Sequence, residues 1–340
     1  YTGEDTLSLH DALPILCERE GTNNENLPET HDVIKQLRAD LNNHYKDRIF
    51  LAEANQWPED VREYFGDGDE CHMAFHFPLM PRIFMAVAQE DRHPIIEILD
   101  QTPEIPENCQ WAVFLRNHDE LTLEMVTDRE RDYMYDTYAT DPRARLNLGI
   151  RRRLAPLMDG SRRKIELMCS LLLSMPGSPI IYYGDEIGML NGEIPPDKIV
   201  DPRGIRQPDV PSEQRDPERT PMQWDGTTYS GFSGTEPWLP VSADYIERNV
   251  SAQEQQPQSM LNLVKHLLKL RKEHKALSQG SYLALNSCGQ DKEKAEETGE
   301  EEDGLFIYVR EFAGERIAVV LNFTDRVKSH KLQGRCLAST

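Results

Sequence analysis

Two short apolar runs close on acids whose placement would let them act on a single bond. RIFLAEAN (Arg48–Asn55) carries Glu53 near its polar end, and WAVFLRNHD (Trp111–Asp119) finishes in Asn117, His118 and Asp119. Carboxylates presented at neighbouring strand ends can serve as general acid/base and as charge stabiliser around one glycosidic bond, the arrangement that a retaining sugar-transferring enzyme requires. For Glu53 alone, a surface acid just past a strand is an equally good reading. The elements that carry these residues therefore matter.

Those elements alternate. THDVIKQLRADLNN (Thr30–Asn43) places Val33, Leu37 and Leu41 at helical spacing and precedes the strand-like RIFLAEAN. Strand-like runs recur in MAFHFP (Met73–Pro78), in Trp111–Asp119 and, after the apolar helix KIELMCSLLLSM, in SPIIYYGDEIG (Ser178–Gly188). Alternation of this kind predicts a parallel sheet with crossover helices. Acids at two strand ends favour closure into a (β/α)8 barrel, where active groups sit at the C-terminal ends of the strands. Residues 190–245, rich in Pro, Gly and Asp, read as one long loop over those ends. SMLNLVKHLLKLRKEH (Ser259–His274) reads as an amphipathic helix, and SYLAL, LFIYVREF and RIAVVLNF as strands of a small β-domain interrupted by a solvated acidic loop, Gln290–Asp303. The expected organisation is α/β: part of a barrel over 16–278, then part of an all-β domain over 279–340.

Composition narrows the ligand class. The 340 residues hold 59 acidic and 38 basic side chains, a net charge of −21, which repels nucleic-acid phosphates and anionic membranes and favours a neutral small molecule. Six cysteines stand without a C-x-x-C pair, so reduced thiols are expected rather than a zinc cage or disulfide framework. No apolar run reaches 18 residues and no leader is visible; a cytoplasmic setting fits the reduced thiols. His72 and His76 lie four apart on a strand, about 13 Å of chain, too far to share a metal. Asn249 and Asn322 head chance N-x-S/T sequons, and Trp57 and Trp224 fit sugar stacking and packing about equally.

The words FLAEANQWPEDV, FLRNHDELTLEMV, MPGSPIIYYGDEIGM and RTPMQWD resemble the α-amylase superfamily of glycoside hydrolases and transglycosylases, and with CEREGTNNENLPETH the stretch Leu16–Met189 resembles its trehalose synthase family. The resemblance implies a barrel followed by a β-domain, and conversion of maltose to trehalose by double displacement, with hydrolysis as a side reaction. It implies Glu53 as acid/base, Asp119 as stabiliser with Asn117 and His118 beside it, Asn55 and Glu120 closing the pocket, and Arg219 and Asp216 near its mouth. The chemistry needs no cofactor; calcium is implied by the family, but no ligand set stands out. Asp11, in LHDALPIL, falls in register with the family's nucleophile motif Arg-x-Asp-Ala-x-Pro-Tyr-Leu, but Leu9 replaces the arginine. TLSLHDALPI also resembles a translated sequencing adapter, which sets 1–15 apart from the barrel. The family's first strands precede this region, so the isolated chain is expected to leave sheet edges open and to be inactive. After Met189, NGEIPPDKIVDPRGIRQ and SEQRDPERTPMQWDGTTYSGFS look more like an α-glucosidase. An α-glucosidase is therefore the rival reading, and a non-catalytic carbohydrate-binding relative the third.

Overall fold

The computed structural model describes residues 16–206, 214–285 and 304–340. Asp11 with the rest of 1–15, and the acidic loop Gln290–Asp303, lie outside the described residues.

The chain begins with α1 (Pro28–His44), whose proline occupies the first turn, where its missing N–H costs nothing. Thr30, Ile34 and Arg38, four apart, form its buried face. Strand β1 (Leu51–Ala52) is followed by α2 (Pro58–Arg62), β2 (Met73–Phe75), α3 (Leu79–Gln89), α4 (His93–Asp100) and β3 (Gln110–Phe114). A small antiparallel sheet, β4 (Leu121–Thr122), β5 (Arg145–Leu146) and β6 (Gly149–Ile150), encloses α5 (Asp128–Tyr138), which starts at a capping box between Thr127 and Glu130. Then come α6 (Leu154–Leu157), α7 (Arg162–Ser174) and β7 (Ser178–Ile180).

β1, β2, β3 and β7 form one parallel sheet in that order, with Leu51 opposite Met73, Ala74 opposite Trp111 and Val113 opposite Pro179. Consecutive parallel strands joined through helices match the expected alternation. The outer strands β1 and β7 carry exposed apolar side chains at and beside them: Ile49, Leu51, Ile181 and Tyr183. The stretch after β7 contains only α8 (Pro202–Arg206) and short 3-10 turns among its described residues, as a loop covering strand ends should.

The chain closes with α9 (Val250–Glu254), α10 (Met260–Glu273), α11 (Lys275–Gln279) and an antiparallel sheet of β8 (Ser281–Ala284), β9 (Leu305–Phe312) and β10 (Glu315–Asn322), ordered β10-β9-β8. Helix α10 is capped by Ser259, whose side chain accepts the Asn262 N–H. Asn249 caps α9 and is 2% exposed, so it cannot carry a glycan.

Among the described residues, this last sheet shares its core with the parallel sheet. Phe306, Tyr308, Leu321 and Phe323 belong to the same apolar cluster as Phe84, Leu171 and Val113. Two buried arginines reinforce the junction. Arg271 donates to the carbonyls of Leu173, Met175 and Gly177, and Arg310 to those of Ser174 (2.7 Å), Gly280 (2.8 Å) and Ser281 (3.2 Å). The end of α7 presents carbonyls that lack intrahelical partners and carry the negative end of the helix dipole, so guanidinium groups suit it. Arg310→Ala should lower unfolding free energy by about 2–3 kcal/mol, because three partly buried carbonyls lose a charged donor; denaturant unfolding of the full chain measures this.

Candidate functional site

The site lies at the C-terminal ends of β1 and β3. Glu53 follows β1 directly, and Asp119 lies five residues past β3. Neighbouring strands are about 4.8 Å apart, so β1 and β3, separated by β2, stand about 10 Å apart at the backbone. Yet one ligand-type atom from each of Glu53, His118 and Asp119 lies within 4.8 Å of the others. The side chains converge above the sheet, as two groups must if they flank one bond.

Asp119 is held by several groups and is 6% exposed. Its N–H donates to Asn117 Oδ1 at 3.0 Å, and its carbonyl accepts from Arg116 Nη2 at 2.6 Å. Its Oδ1 receives Arg219 Nη2 at 2.7 Å and lies 3.3 Å from Arg215 Nε, while its Oδ2 is 3.4 Å from His118 Nε2. Charge-assisted bonds of this kind fix orientation as well as energy. Arg219 Nε also donates to the His118 carbonyl at 2.8 Å. Asn117 thus shapes the turn beneath the acid, and Arg219 grips the acid itself.

His118 is the exposed member, with 47% of its side chain accessible. Partial burial lowers its pKa most, Arg219 and Arg215 lower it further, and Asp119 pulls it back up only in part. The shift favours the neutral imidazole, which offers one donor and one acceptor.

Asn55 and Glu120, expected at the pocket rim, are both buried and committed to neighbours. Asn55 Nδ2 donates to Thr122 Oγ1 at 3.3 Å and contacts Glu124. Glu120 accepts Arg215 Nε at 2.7 Å and also contacts Asn147 Nδ2. Burial alone would raise the Glu120 pKa, but the Arg215 and Asn147 bonds hold it below the ordinary value. Both residues brace the wall. Asp216 is 1% exposed and its Oδ2 accepts the N–H groups of Val200 and Asp201, so it supports the loop and does not face the pocket mouth.

Residues that sequence reading passed over surround this set. Arg116, two positions before His118, has a fully buried side chain and pairs with Glu218, also fully buried. Arg153 lies under the YYGDE segment, its guanidinium 4.9 Å from the Tyr182 ring centre and 4.8 Å from that of Tyr183, and it approaches Asp185 at 3.9 Å. The partners lie far apart in sequence, so no local spacing reveals them.

For calcium, the one group of three or more His, Cys, Asp or Glu found within ligand reach among the described residues is Glu53, His118 and Asp119. A hard cation prefers six to eight oxygen ligands, whereas this set includes an imidazole and lies beside Arg215 and Arg219. The residues do not fit calcium. His72 and His76 are separately engaged: His72 Nδ1 accepts the Phe50 N–H at 3.0 Å, and His76 Nε2 pairs with Thr102 Oγ1 at 2.8 Å. Cys169 is buried in the core, while Trp57 packs beneath the Arg82 guanidinium at 5.4 Å.

Comparison with known proteins adds the following. The α-amylase catalytic-domain family matches residues 151–280. "Trehalose synthase/amylase TreS" of Mycobacterium tuberculosis is 51% identical over 316 residues, covering 90% of this chain and 48% of the relative. A probable α-glucosidase of Rhizobium meliloti is 26% identical over 318 residues, covering 91% of this chain and 48% of its own length. Glucosidase similarity is thus distant, and the trehalose synthase match is long enough to continue past Met189. The chain spans about half the length of these relatives. Among solved structures, an α-glucosyl transfer enzyme, XgtA, superposes with a TM-score of 0.61 at 23% identity, covering 88% of this chain and 47% of that one.

Beneath the site, burial drives the Asp185 carboxyl up to about 7, with Arg153 and Arg116 pulling it back in part. A carboxyl raised above its unfolded value adds stability below about pH 4, and that contribution is lost as pH rises through about 7. Asp185→Asn cannot ionise. Thermal melts at pH 5 and pH 8 should therefore show the stability difference between variant and native protein moving in the variant's favour at the higher pH; a pH-independent difference would contradict this assignment.

Proposed function

Because the chain belongs to the α-amylase superfamily, on its trehalose synthase branch, we propose that the complete enzyme interconverts maltose and trehalose by intramolecular transglucosylation with retention. The convergence of Glu53, His118 and Asp119 within 4.8 Å carries this reading. The four parallel strands are proposed to be consecutive members of a (β/α)8 barrel, with the C-terminal sheet as its appended β-domain. The exposed apolar residues at and beside β1 and β7 support this, since barrel strands pair on both sides.

Each group then has a task. A carboxylate attacks the anomeric carbon of maltose, and Glu53 protonates the departing glycosidic oxygen. Register alone points to Asp11 as that nucleophile. Asp119, its Oδ1 held by Arg219 and Arg215, receives the sugar hydroxyls of the trapped ring and strengthens those bonds as positive charge develops. Neutral His118 adds a further hydrogen bond at the same ring. The released glucose must remain, turn, and present its own anomeric hydroxyl, from which Glu53, now a base, takes the proton. Two inversions give net retention and an α,α-1,1 linkage.

Water attacking the same intermediate would give two glucose molecules. Glu120, Asn147 and Arg215 form a bonded wall beside Asp119, with Asn55 tied separately to Thr122, and a rigid wall limits water entry. No step is routed through a metal or cofactor. A neutral disaccharide suits a chain of net charge −21, and we place the enzyme in the cytoplasm; no helix among the described residues is long and apolar enough to cross a membrane.

The full-length enzyme, given maltose, should yield trehalose in excess of glucose. Glu53→Gln should reduce turnover by about 10²–10⁴-fold, the range expected on losing a general acid/base. Glucose as the sole product would favour the α-glucosidase reading, and unchanged turnover in the variant would remove Glu53 from the mechanism.

A further inference from the structure

We propose that Arg116 and Glu218 are a positioning pair: buried beneath the pocket, they lock the strand end that carries Asp119 to the turn that supplies its two guanidinium partners. The inference rests on the assignment of Asp119 as the charge-stabilising acid.

Arg116 joins three segments. Its Nε donates to the Arg152 carbonyl at 2.8 Å, its Nη2 to the Asp119 carbonyl at 2.6 Å, and the same Nη2 contacts the Glu218 carboxylate. Glu218 sits in the 3-10 turn Asp216–Glu218, flanked by the residues that reach the acid. Arg215, on one side, lies 3.3 Å from Asp119 Oδ1 and 2.7 Å from Glu120 Oε2; Arg219, on the other, lies 2.7 Å from Asp119 Oδ1. The turn is further tied down by Tyr182, whose hydroxyl donates to the Glu218 carbonyl at 3.0 Å. Displacing Glu218 would therefore carry Arg215 and Arg219 with it, and freeing Arg116 would release the Asp119 main chain.

Stability alone does not account for such a pair. Both side chains are fully buried; burial pushes the Glu218 carboxyl up to about 7 while Arg116 pulls it back in part, and desolvating such a pair can cost as much as its attraction returns, so an apolar pair of similar volume would hold the fold equally well. What an apolar pair lacks is direction. A planar guanidinium that binds a carbonyl and a carboxylate at once fixes the angle between the elements that carry them. Asp119 is required to act mainly when charge develops, so small errors in its aim fall on the transition state more than on the bound ground state.

The test uses the full-length enzyme with two substrates, maltose and 4-nitrophenyl α-glucoside, comparing native protein with Glu218→Gln and Arg116→Lys. Glutamine keeps the shape of Glu218 without its charge, and lysine keeps the charge of Arg116 without its fork. Each folded variant should lose about 10–100-fold in kcat on both substrates while KM stays within about 3-fold, the pattern of a misaimed group. Folded variants with native kcat, or with raised KM and unchanged kcat, would overturn the proposal. So would failure of both variants to fold, since the pair would then be structural. Release of nitrophenol without trehalose from native enzyme would defeat the isomerase reading yet leave the comparison of kcat intact, whereas a native enzyme inert to both substrates would defeat both.

Discussion

A carboxylate that meets a developing positive charge has to be held in one orientation before substrate arrives, and Asp119, for which that role is proposed, is held at both its main chain and its carboxylate. Its main chain is fixed by Asn117 and Arg116, and one oxygen is gripped by Arg219 with Arg215 close by. Preorganisation of this sort moves the cost of orientation from the reaction into folding. That cost shows in the number of charged groups buried around one acid: Arg116, Arg215, Glu120 and Glu218 are each less than 9% exposed.

The parallel sheet makes this concentration of charge possible. Strand ends lie side by side at a fixed spacing, so a residue placed just past each strand enters a shared space without a long search by the loop. Glu53 and Asp119 reach that space from strands that are not neighbours, and β2 fills the gap between them. The loop after β7 then lays its turn at Asp216–Glu218 across the strand ends. The C-terminal sheet acts from the opposite direction: Arg310 of β9 fastens it, and Arg271 fastens α10, to the carbonyls where α7 turns into β7, the strand leading to the YYGDE segment. Core, sheet and site therefore share one mechanical path.

Much of this was legible in the sequence, and the division has a physical basis. The strands beneath Glu53 and Asp119 announce themselves because an apolar run ending abruptly in polar residues leaves few alternatives. Helix α10 is bounded by Ser259, a local capping signal, and the expected Ser259–His274 became Met260–Glu273. The two-residue strands β4, β5 and β6 are too short for any periodicity to register. Glu120 and Asp216 carry the right chemistry for a pocket, but their commitments are to groups that only the fold brings near, such as Arg215, 95 residues from Glu120. Arg116 and Glu218 are 102 residues apart, and a buried ion pair leaves no pattern in either neighbourhood. Side-chain type shows what chemistry is possible, whereas partner identity is a property of the tertiary structure.

The central claim is that one glucosyl unit leaves its glucose partner and returns to the same molecule at a different hydroxyl. Isotope dilution tests it most directly. Unlabelled maltose is incubated with the full-length enzyme in a large excess of ¹³C-glucose, and the trehalose formed is analysed by mass spectrometry. Intramolecular transfer predicts trehalose that is almost entirely unlabelled, because the released glucose never leaves the pocket. Trehalose carrying one labelled ring in proportion to the external glucose would contradict that account and indicate an open acceptor site.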